Sequence, residues 1–328
     1  MAAYTYLPDT MQFRCTSVVQ YPTFERRFCS SAQFLNRQKL KERQTYTGRI
    51  TKGAYKRLNR AIELLVQAAD QKTVEFTSKK SGQKKKLKFS LNFITLTVHS
   101  PDRMIEGKEA HRLCLEPLIL WLKRTCGMTL YIWKAELQKR GQIHYHVTTD
   151  CYVEAMQLRY KWNDLQKEAG YLNQYFEKFG HYNANSTDVH SVYKYADISS
   201  YLKKNVCKSI NCELAKSVQN KETIGGKVWD CSLNLKSCKL FETDFDYDLH
   251  EKIINSTYNF VEKDCFKLYE TDKKTSLLLS EQYKLEYEAH MRNVRNYTRQ
   301  SVKKDVSSNE TPPVKVTFKP QLTLFSPS

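Results

Sequence analysis

Two histidines separated by a single residue are the clearest chemical signal in the sequence. His144 and His146 lie in the segment Ile143–Thr148, whose aromatic and β-branched residues predict a strand. Because side chains alternate along a strand, both imidazoles are expected on the same face. A pair of this kind can also be purely structural, so the neighbouring residues decide its interpretation.

A carboxylate eight residues before the first histidine adds a third metal donor. Between Glu136 and His144, the residues Lys139, Arg140 and Gly141 predict a hairpin turn. If the turn centres on Arg140, Glu136 faces His144, since cross-strand Cβ atoms lie about 5 Å apart on one face. One carboxylate and two imidazoles with open positions suit Mg²⁺, Mn²⁺ or another divalent ion that also binds substrate oxygens. The alternative is a surface hairpin with a Glu–Lys ion pair.

Tyrosine is the candidate nucleophile, because the chain has neither a serine elbow nor a cysteine–histidine signature. A tyrosine three residues before a lysine on a helix places both groups on one side, where the cation favours the phenolate and neutralises phosphate charge. Tyr131 has this spacing but lies in a predicted strand, where residues three apart face opposite sides. Tyr201 is preferred to Tyr175, because Lys204 and Lys208 both follow it on a predicted helix. A role in the core is the alternative for each tyrosine.

The elements that must position these residues predict an α+β domain with an antiparallel sheet. Strands are predicted at Ile94–Val98, Leu130–Leu137 and Ile143–Thr148, and helices at Lys108–Arg124, Val153–Glu168 and from about Ala196.

Changes in composition divide the chain into four predicted regions. These are a basic N-terminal region (1–88) with a helix at about 51–70 and a basic loop at 78–88, a catalytic domain (89–240), a helical extension (241–300) and a disordered tail (301–328). Residues 1 to about 50 show no sustained periodicity and are expected to be irregular.

The charge indicates a polyanionic partner. Of the 328 residues, 53 are lysine or arginine and 35 are aspartate or glutamate, which gives a formal net charge of +18. Nucleic acid is favoured over an anionic membrane, because no run of about eighteen apolar residues and no signal peptide is found. The ten cysteines form no C-x-x-C pair and are expected to be reduced thiols. The phosphate loop of nucleotide-binding enzymes is also missing from the sequence, since Gly225, Gly226 and Lys227 are followed by Val228.

Taken in order, the motifs resemble the HUH rolling-circle replication initiators of single-stranded DNA phages, related viruses and plasmids, in particular the filamentous-phage type of initiator domain. The similar segments are Phe93–Thr97, Glu136–Gly141, His144–His146 and Ser200–Lys204, with smaller similarities at Trp162–Asn163, Asp188–His190 and Gly226–Ser232. They span about residues 89 to 240.

This resemblance implies a sheet of five antiparallel strands, with the metal hairpin at its centre and the tyrosine helix packed against it. It implies that Glu136, His144 and His146 bind one Mg²⁺ or Mn²⁺ ion. Tyr201 would attack a DNA phosphate, aided by Lys204, and leave a 5′-phosphotyrosine and a free 3′-hydroxyl. The site could then rejoin DNA ends by the reverse reaction.

The resemblance also implies the partners of the protein. Lys203, Lys208 and Arg140 are expected to contact single-stranded origin DNA, which could form a hairpin, and a host helicase and DNA polymerase would extend the free end. The expected location is the cytoplasm of a bacterial host, with the nucleus of a eukaryotic host as the alternative. Neither a membrane nor a particular oligomeric state is implied.

One departure from the pattern concerns a second tyrosine. Many relatives carry two tyrosines four residues apart, whereas Asn205 stands at the second position here. The resemblance therefore supports an enzyme with one tyrosine, whose termination step would need a second protein copy. Conjugative relaxases and single-strand transposases share this chemistry, but in relaxases the tyrosine normally precedes the histidines. A basic DNA- or RNA-binding protein without catalysis is the alternative from another class.

Overall fold

The structure, a computed structural model, describes residues 4–7, 10–21, 24–27, 50, 52–77, 82–99, 105–138, 141–192, 224–263, 266–271 and 274–297. Five predicted site residues lie outside the described residues, namely Arg140, Tyr201, Lys203, Lys204 and Lys208. The helix predicted from Ala196 and the tail predicted at 301–328 lie outside them as well. The elements below belong to one unit, residues 1–296.

The described strands are, in chain order, β1 (Tyr4–Leu7), β2 (Thr10–Phe13), β3 (Ser17–Tyr21), β4 (Phe24–Arg27), β5 (Lys72–Thr77), β6 (Lys84–Phe89), β7 (Leu91–Thr97), β8 (Tyr131–Leu137), β9 (Ile143–Thr149), β10 (Thr187–Val192), β11 (Trp229–Cys231), β12 (Glu242–Asp244), β13 (Thr257–Lys263) and β14 (Phe266–Thr271). They form two five-stranded sheets and two two-stranded ribbons, β1–β4 and β5–β6.

The described helices are α1 (Lys52–Ala68), α2 (Gly107–Ala110), α3 (Glu116–Thr125), α4 (Ala155–Glu168), α5 (Asn173–Phe179), α6 (Leu233–Ser237), α7 (Tyr247–Asn255) and α8 (Glu281–Asn296). A π-helical turn at His111–Leu115 joins α2 to α3, and a 3₁₀ turn occupies Thr275–Leu277. Among the described residues, no helix has both the length and the apolar character needed to cross a bilayer.

The first sheet has the strand order β10-β7-β9-β8-β11, and every neighbouring pair is antiparallel. This confirms the prediction of a five-stranded antiparallel sheet with flanking helices. The strands β7, β8 and β9 correspond to the three predicted from the sequence, within a few residues at their ends. The hairpin β8–β9 lies at the centre of the sheet.

One face of this sheet is buried by helices. The apolar residues Leu96, Tyr145 and Val147 alternate with polar ones and are almost completely shielded from solvent. Trp162 of α4 packs edge-on against Tyr145, with ring centroids 6.4 Å apart. Its indole nitrogen donates a hydrogen bond of 3.0 Å to the backbone oxygen of Thr97 at the end of β7. The helix is thereby fixed to the strand next to the two histidines.

The local sequence explains where α4 begins and ends. Glu154 caps the helix, because its carboxylate accepts a hydrogen bond of 2.9 Å from the backbone N–H of Gln157. Gly170 lies just past the last turn with φ of +74°, a left-handed conformation that glycine adopts at little cost. The helix predicted at Val153–Glu168 is confirmed, with its start two residues later.

The second sheet has the order β12-β2-β3-β14-β13 and joins distant parts of the chain. The prediction that residues 1 to about 50 are irregular is wrong for β2 and β3, which are buried at the centre of this sheet. Their four- and five-residue length leaves too little sequence for a clear alternation. Pairing with β12 and β14 stabilises them, and sequence periodicity does not report such distant contacts.

The predicted helical extension is only partly helical. α7 and α8 are helices, but the segment between them forms the antiparallel hairpin β13–β14. The physical reason is its content of aromatic and β-branched residues, which favour strands. The predicted basic loop at 78–88 is also wrong for β6, which pairs with β5 along six residues. The proposed borders at residues 88 and 240 stay a prediction.

Candidate active site

The central hairpin brings the predicted metal donors onto one face. Glu136 of β8 pairs directly with His144 of β9, as the turn between them predicts. Gly141 in that turn has φ of +79°, and its N–H donates a hydrogen bond of 2.9 Å to the oxygen of Gln138. His146 lies two residues further along β9, so its side chain shares the face of His144. The two imidazole rings are 4.9 Å apart between centroids.

Two threonines of β7 stand behind the histidines. Thr97 pairs with His144 and Thr95 with His146. The Oγ1 of Thr97 lies 3.1 Å from Nδ1 of His144, and the Oγ1 of Thr95 lies 3.4 Å from Nδ1 of His146. A hydroxyl that accepts a proton from Nδ1 leaves Nε2 with a free lone pair, which is the state that binds a metal.

The amide of Gln138 also reaches His144. Its Nε2 lies 2.7 Å from Nδ1 of the imidazole, on the side where Thr97 stands. Since a flipped amide would present oxygen at the same place, this contact is compatible with either ring tautomer. The Nδ1 atom of His144 is therefore held from both its strand neighbour and the hairpin.

Glu136 has charged partners on both sides. Its Oε2 lies 3.5 Å from Nε2 of His146, and its Oε1 makes an ion pair with the ammonium of Lys134. The hydrogen bond from His146 and the charge of Lys134 outweigh burial and lower the pKa of Glu136 to about 2. Burial, assisted by the charge of His146, lowers the pKa of His144. The carboxylate is thus ionised and His144 favours its neutral form, as metal ligands require.

As the side chains stand, no three His, Cys, Asp or Glu residues in the described part of the chain form a group that could hold a metal ion. The Glu136 carboxylate is directed to Lys134 and His146 instead of to both imidazoles. Donor chemistry and placement nevertheless fit a divalent ion, because one ionised carboxylate and two imidazoles share a half-exposed face of neighbouring strands.

The polar face extends across the whole sheet. One row of paired residues runs from β10 to β11 through Asp188, Thr95, His146, Lys134 and Trp229. The imidazole Nε2 of His190, two residues beyond Asp188 on the same strand, lies 2.6 Å from the Asp188 carboxylate. A polar row with one apolar end suits a charged polymer better than an apolar ligand.

Two of the three candidate tyrosines can be placed. Tyr131 lies in β8, and burial together with the nearby charge of Asp230 raises its pKa to about 12, which makes it a poor nucleophile. Tyr175 lies in α5 within an aromatic cluster, with ring centroids 4.6 Å from Phe179 and 5.4 Å from His99. The structure therefore places Glu136, His144 and His146 together, whereas Tyr201 lies outside the described residues.

Sequence reasoning missed several residues of this face. Thr95 and Thr97 were part of the first motif but had no assigned role, although their two-residue spacing matches that of the histidines. Lys134 was considered only as a partner of Tyr131. Its position two residues before Glu136 in a strand already implies a shared face, which would have been enough to find the ion pair.

Residues 91–208 match the sequence model of a family of replication-associated proteins, described as the ORF2 type. The match covers about a third of the chain and includes β7 to β10 together with the predicted tyrosine segment. No curated protein and no solved structure matches the chain. The family match supports a replication initiator, with a role in DNA replication.

Proposed function

We propose that the protein initiates rolling-circle replication by nicking and rejoining single-stranded DNA through a covalent tyrosine–DNA intermediate. The observation that supports this is the shared face of Glu136, His144 and His146, which lies inside the segment that resembles replication-associated proteins. A purely structural hairpin has no need for two half-exposed imidazoles beside an ionised carboxylate.

The three donors would hold one Mg²⁺ or Mn²⁺ ion. When bound, this ion supplies positive charge that neutralises the phosphate and the developing charge of the transition state. Lys134 provides the counter-charge for Glu136 in the structure, so the carboxylate is kept ionised before a cation binds. Thr95 and Thr97 would keep both imidazoles oriented with Nε2 toward the ligand.

The covalent step is an exchange of phosphoesters. The phenolic oxygen of Tyr201 attacks the phosphorus in line with the leaving 3′-oxygen, a P–O bond to tyrosine forms, and the P–O3′ bond breaks. The phenol loses its proton and the 3′-oxygen gains one, so the products are a 5′-phosphotyrosine and a 3′-hydroxyl. Lys204 would favour the phenolate and neutralise phosphate charge. Reversal of the step rejoins the ends without a nucleotide.

Arg140, Lys203 and Lys208 would bind the backbone of the single-stranded origin, in keeping with the net charge of +18. The free 3′-hydroxyl would be extended by a host DNA polymerase, with a host helicase to separate the strands. We propose the cytoplasm of a bacterial host as the site of this reaction, and the nucleus of a eukaryotic host as the alternative.

The test is a covalent-adduct assay with the full chain. A labelled single-stranded origin oligonucleotide is incubated with protein plus Mn²⁺ or plus EDTA, and the products are separated by denaturing electrophoresis. The expected result is a band of protein-bound DNA that requires Mn²⁺ and is abolished in Glu136→Gln and in Tyr201→Phe. Tyr175→Phe is the matched control and should form the adduct.

Three results would overturn parts of the proposal. A protein that shifts the DNA in a native gel but forms no denaturation-resistant adduct is a binding protein without catalysis. An adduct lost in Tyr175→Phe and kept in Tyr201→Phe assigns the nucleophile to α5. An adduct of equal yield in EDTA removes the metal from the reaction.

A further inference from the structure

The ribbon formed by β5 and β6 concentrates positive charge on one of its two faces. The register pairs Lys86 with Glu75 and Lys88 with Thr73, so Lys84, Lys86 and Lys88 alternate onto a single face. All three lysines are exposed. Glu75 is the one carboxylate on this face of the described ribbon, and it lies 3.3 Å from the ammonium of Lys86.

The other face of the ribbon has a different character. It carries Val74, Phe76, Leu87 and Phe89, with Phe76 37% exposed toward the far end and Phe89 buried at the base. The aromatic rings are thus kept apart from the three lysines. A single strand is bound best where cations and stacking rings lie together, whereas a duplex presents only its phosphates to the outside.

The base of the ribbon is fixed to the first sheet. The ammonium of Lys72 donates a hydrogen bond of 2.7 Å to the backbone oxygen of Asp150, just past the end of β9. Phe89 packs against Tyr152, with ring centroids 6.0 Å apart. After Ser90 the chain continues directly into β7, which carries Thr95 and Thr97. Anything held by the lysines therefore has a defined position relative to the histidine face.

The dimensions suit a nucleic-acid duplex. Six residues in each strand extend about 20 Å, and the lysines recur about every 7 Å along one face. A two-stranded ribbon of this width enters a major groove about 12 Å wide. Within the described chain, β5 and β6 pair only with each other, so no third strand widens the ribbon.

We propose that this lysine face binds double-stranded DNA. The choice of DNA over RNA rests on the proposed function, and the contact itself does not require nicking. In this arrangement the ribbon holds duplex DNA next to the site, and the first sheet handles the single strand.

The test compares two triple variants of the full chain with the same change of charge. The first is Lys84→Gln, Lys86→Gln and Lys88→Gln, and the matched control is Lys252→Gln, Lys263→Gln and Lys284→Gln, three exposed lysines elsewhere. Fluorescence anisotropy gives the affinity for a 20-base-pair DNA duplex, a 20-nucleotide single strand and an RNA duplex between about 50 and 200 mM salt.

The ribbon triple is expected to lower the slope of log affinity against log salt by about 2.7 on the DNA duplex, which corresponds to three lost phosphate contacts. The wild-type protein would then lose about 40-fold more affinity than the variant between 50 and 200 mM salt. The control triple should change the slope far less. A third variant, with arginine at the three ribbon positions, should keep duplex binding, which separates loss of charge from loss of structure.

Equal losses in the two glutamine triples would overturn the proposal, because the ribbon would then contribute only bulk charge. A loss as large on the single strand, or on the RNA duplex, would also overturn it. The adduct assay remains independent of these results. Ribbon-dependent duplex binding by a protein that forms no adduct would refute the nicking proposal alone, and an adduct without ribbon-dependent binding would refute the duplex contact alone.

Discussion

The hydroxyl of Thr97 lies 3.1 Å from Nδ1 of His144, and the strand pairing makes the two residues direct neighbours. Thr95 stands in the same relation to His146. Both imidazoles are thus oriented from one adjacent strand, which makes β7 part of the site even though it supplies no metal donor.

The double variant Thr95→Val and Thr97→Val tests this positioning role. Valine has the shape of threonine and favours strands, so the sheet should fold, but Nδ1 of each ring loses its hydroxyl partner. The Mn²⁺ concentration for half-maximal adduct formation is expected to rise about 10- to 100-fold, with a smaller effect at saturating metal. Thr243→Val is the control, since its buried hydroxyl in the second sheet has no hydrogen-bond partner within the described structure. An unchanged metal requirement in the double variant would exclude the positioning role.

Removing the counter-charge of Glu136 should make stability depend on divalent cations. Lys134→Met leaves the carboxylate without its ammonium partner, and without metal we expect a loss of about 1–3 kcal/mol in the free energy of unfolding. Mn²⁺ should raise the melting temperature more in this variant than in the wild type. Lys227→Met, at an exposed lysine paired with Asp230, should show no such difference. Equal effects of Mn²⁺ on the wild type and Lys134→Met would contradict a cation at Glu136.

The contact between α4 and β7 should contribute measurably to stability. Trp162→Phe removes the indole N–H that bonds the oxygen of Thr97 and leaves a small cavity beside Tyr145. The expected loss is about 1–3 kcal/mol, measured by urea denaturation. The same substitution at the partly buried Trp121 should cost less. A similar cost at both positions would show that this indole bond adds nothing specific.

The pH dependence of stability should include a contribution from His250. Burial lowers the pKa of this imidazole, and the charge of Lys267 lowers it further, while Nε2 lies 3.0 Å from the Tyr269 hydroxyl. The unfolded chain titrates near a pKa of about 6.5, so below that pH the unfolded state binds more protons than the folded state. Stability contributed by neutral His250 is therefore present above about pH 6.5 and lost as the pH falls.

Thermal melts at pH 7 and pH 5 check this expectation. The fall in melting temperature between the two values should be smaller in His250→Gln, which can still bond Tyr269 but does not titrate. A fall as large as that of the wild type would show that other groups account for the whole effect.

Local patterns predicted the first sheet well, because its central hairpin carries its information in adjacent residues. The alternation through His144 and His146, and the turn before them, are enough to place Glu136 opposite the first histidine. The pairing of Gln12 with Glu242 could not be predicted in this way, since 230 positions separate them. The ribbon was missed because its lysines hide the alternation of apolar residues that marks most strands.

The two central strands of the second sheet, β2 and β3, have consequences for synthesis. Both flanking partners are encoded more than two hundred residues later, so on a bacterial ribosome the nascent hairpin waits on the order of tens of seconds for them. During that interval its two open edges can pair with other chains. Fast translation or a chaperone that covers residues 10–21 would therefore raise the yield of native protein, and a chain cut short before residue 242 would be prone to aggregate.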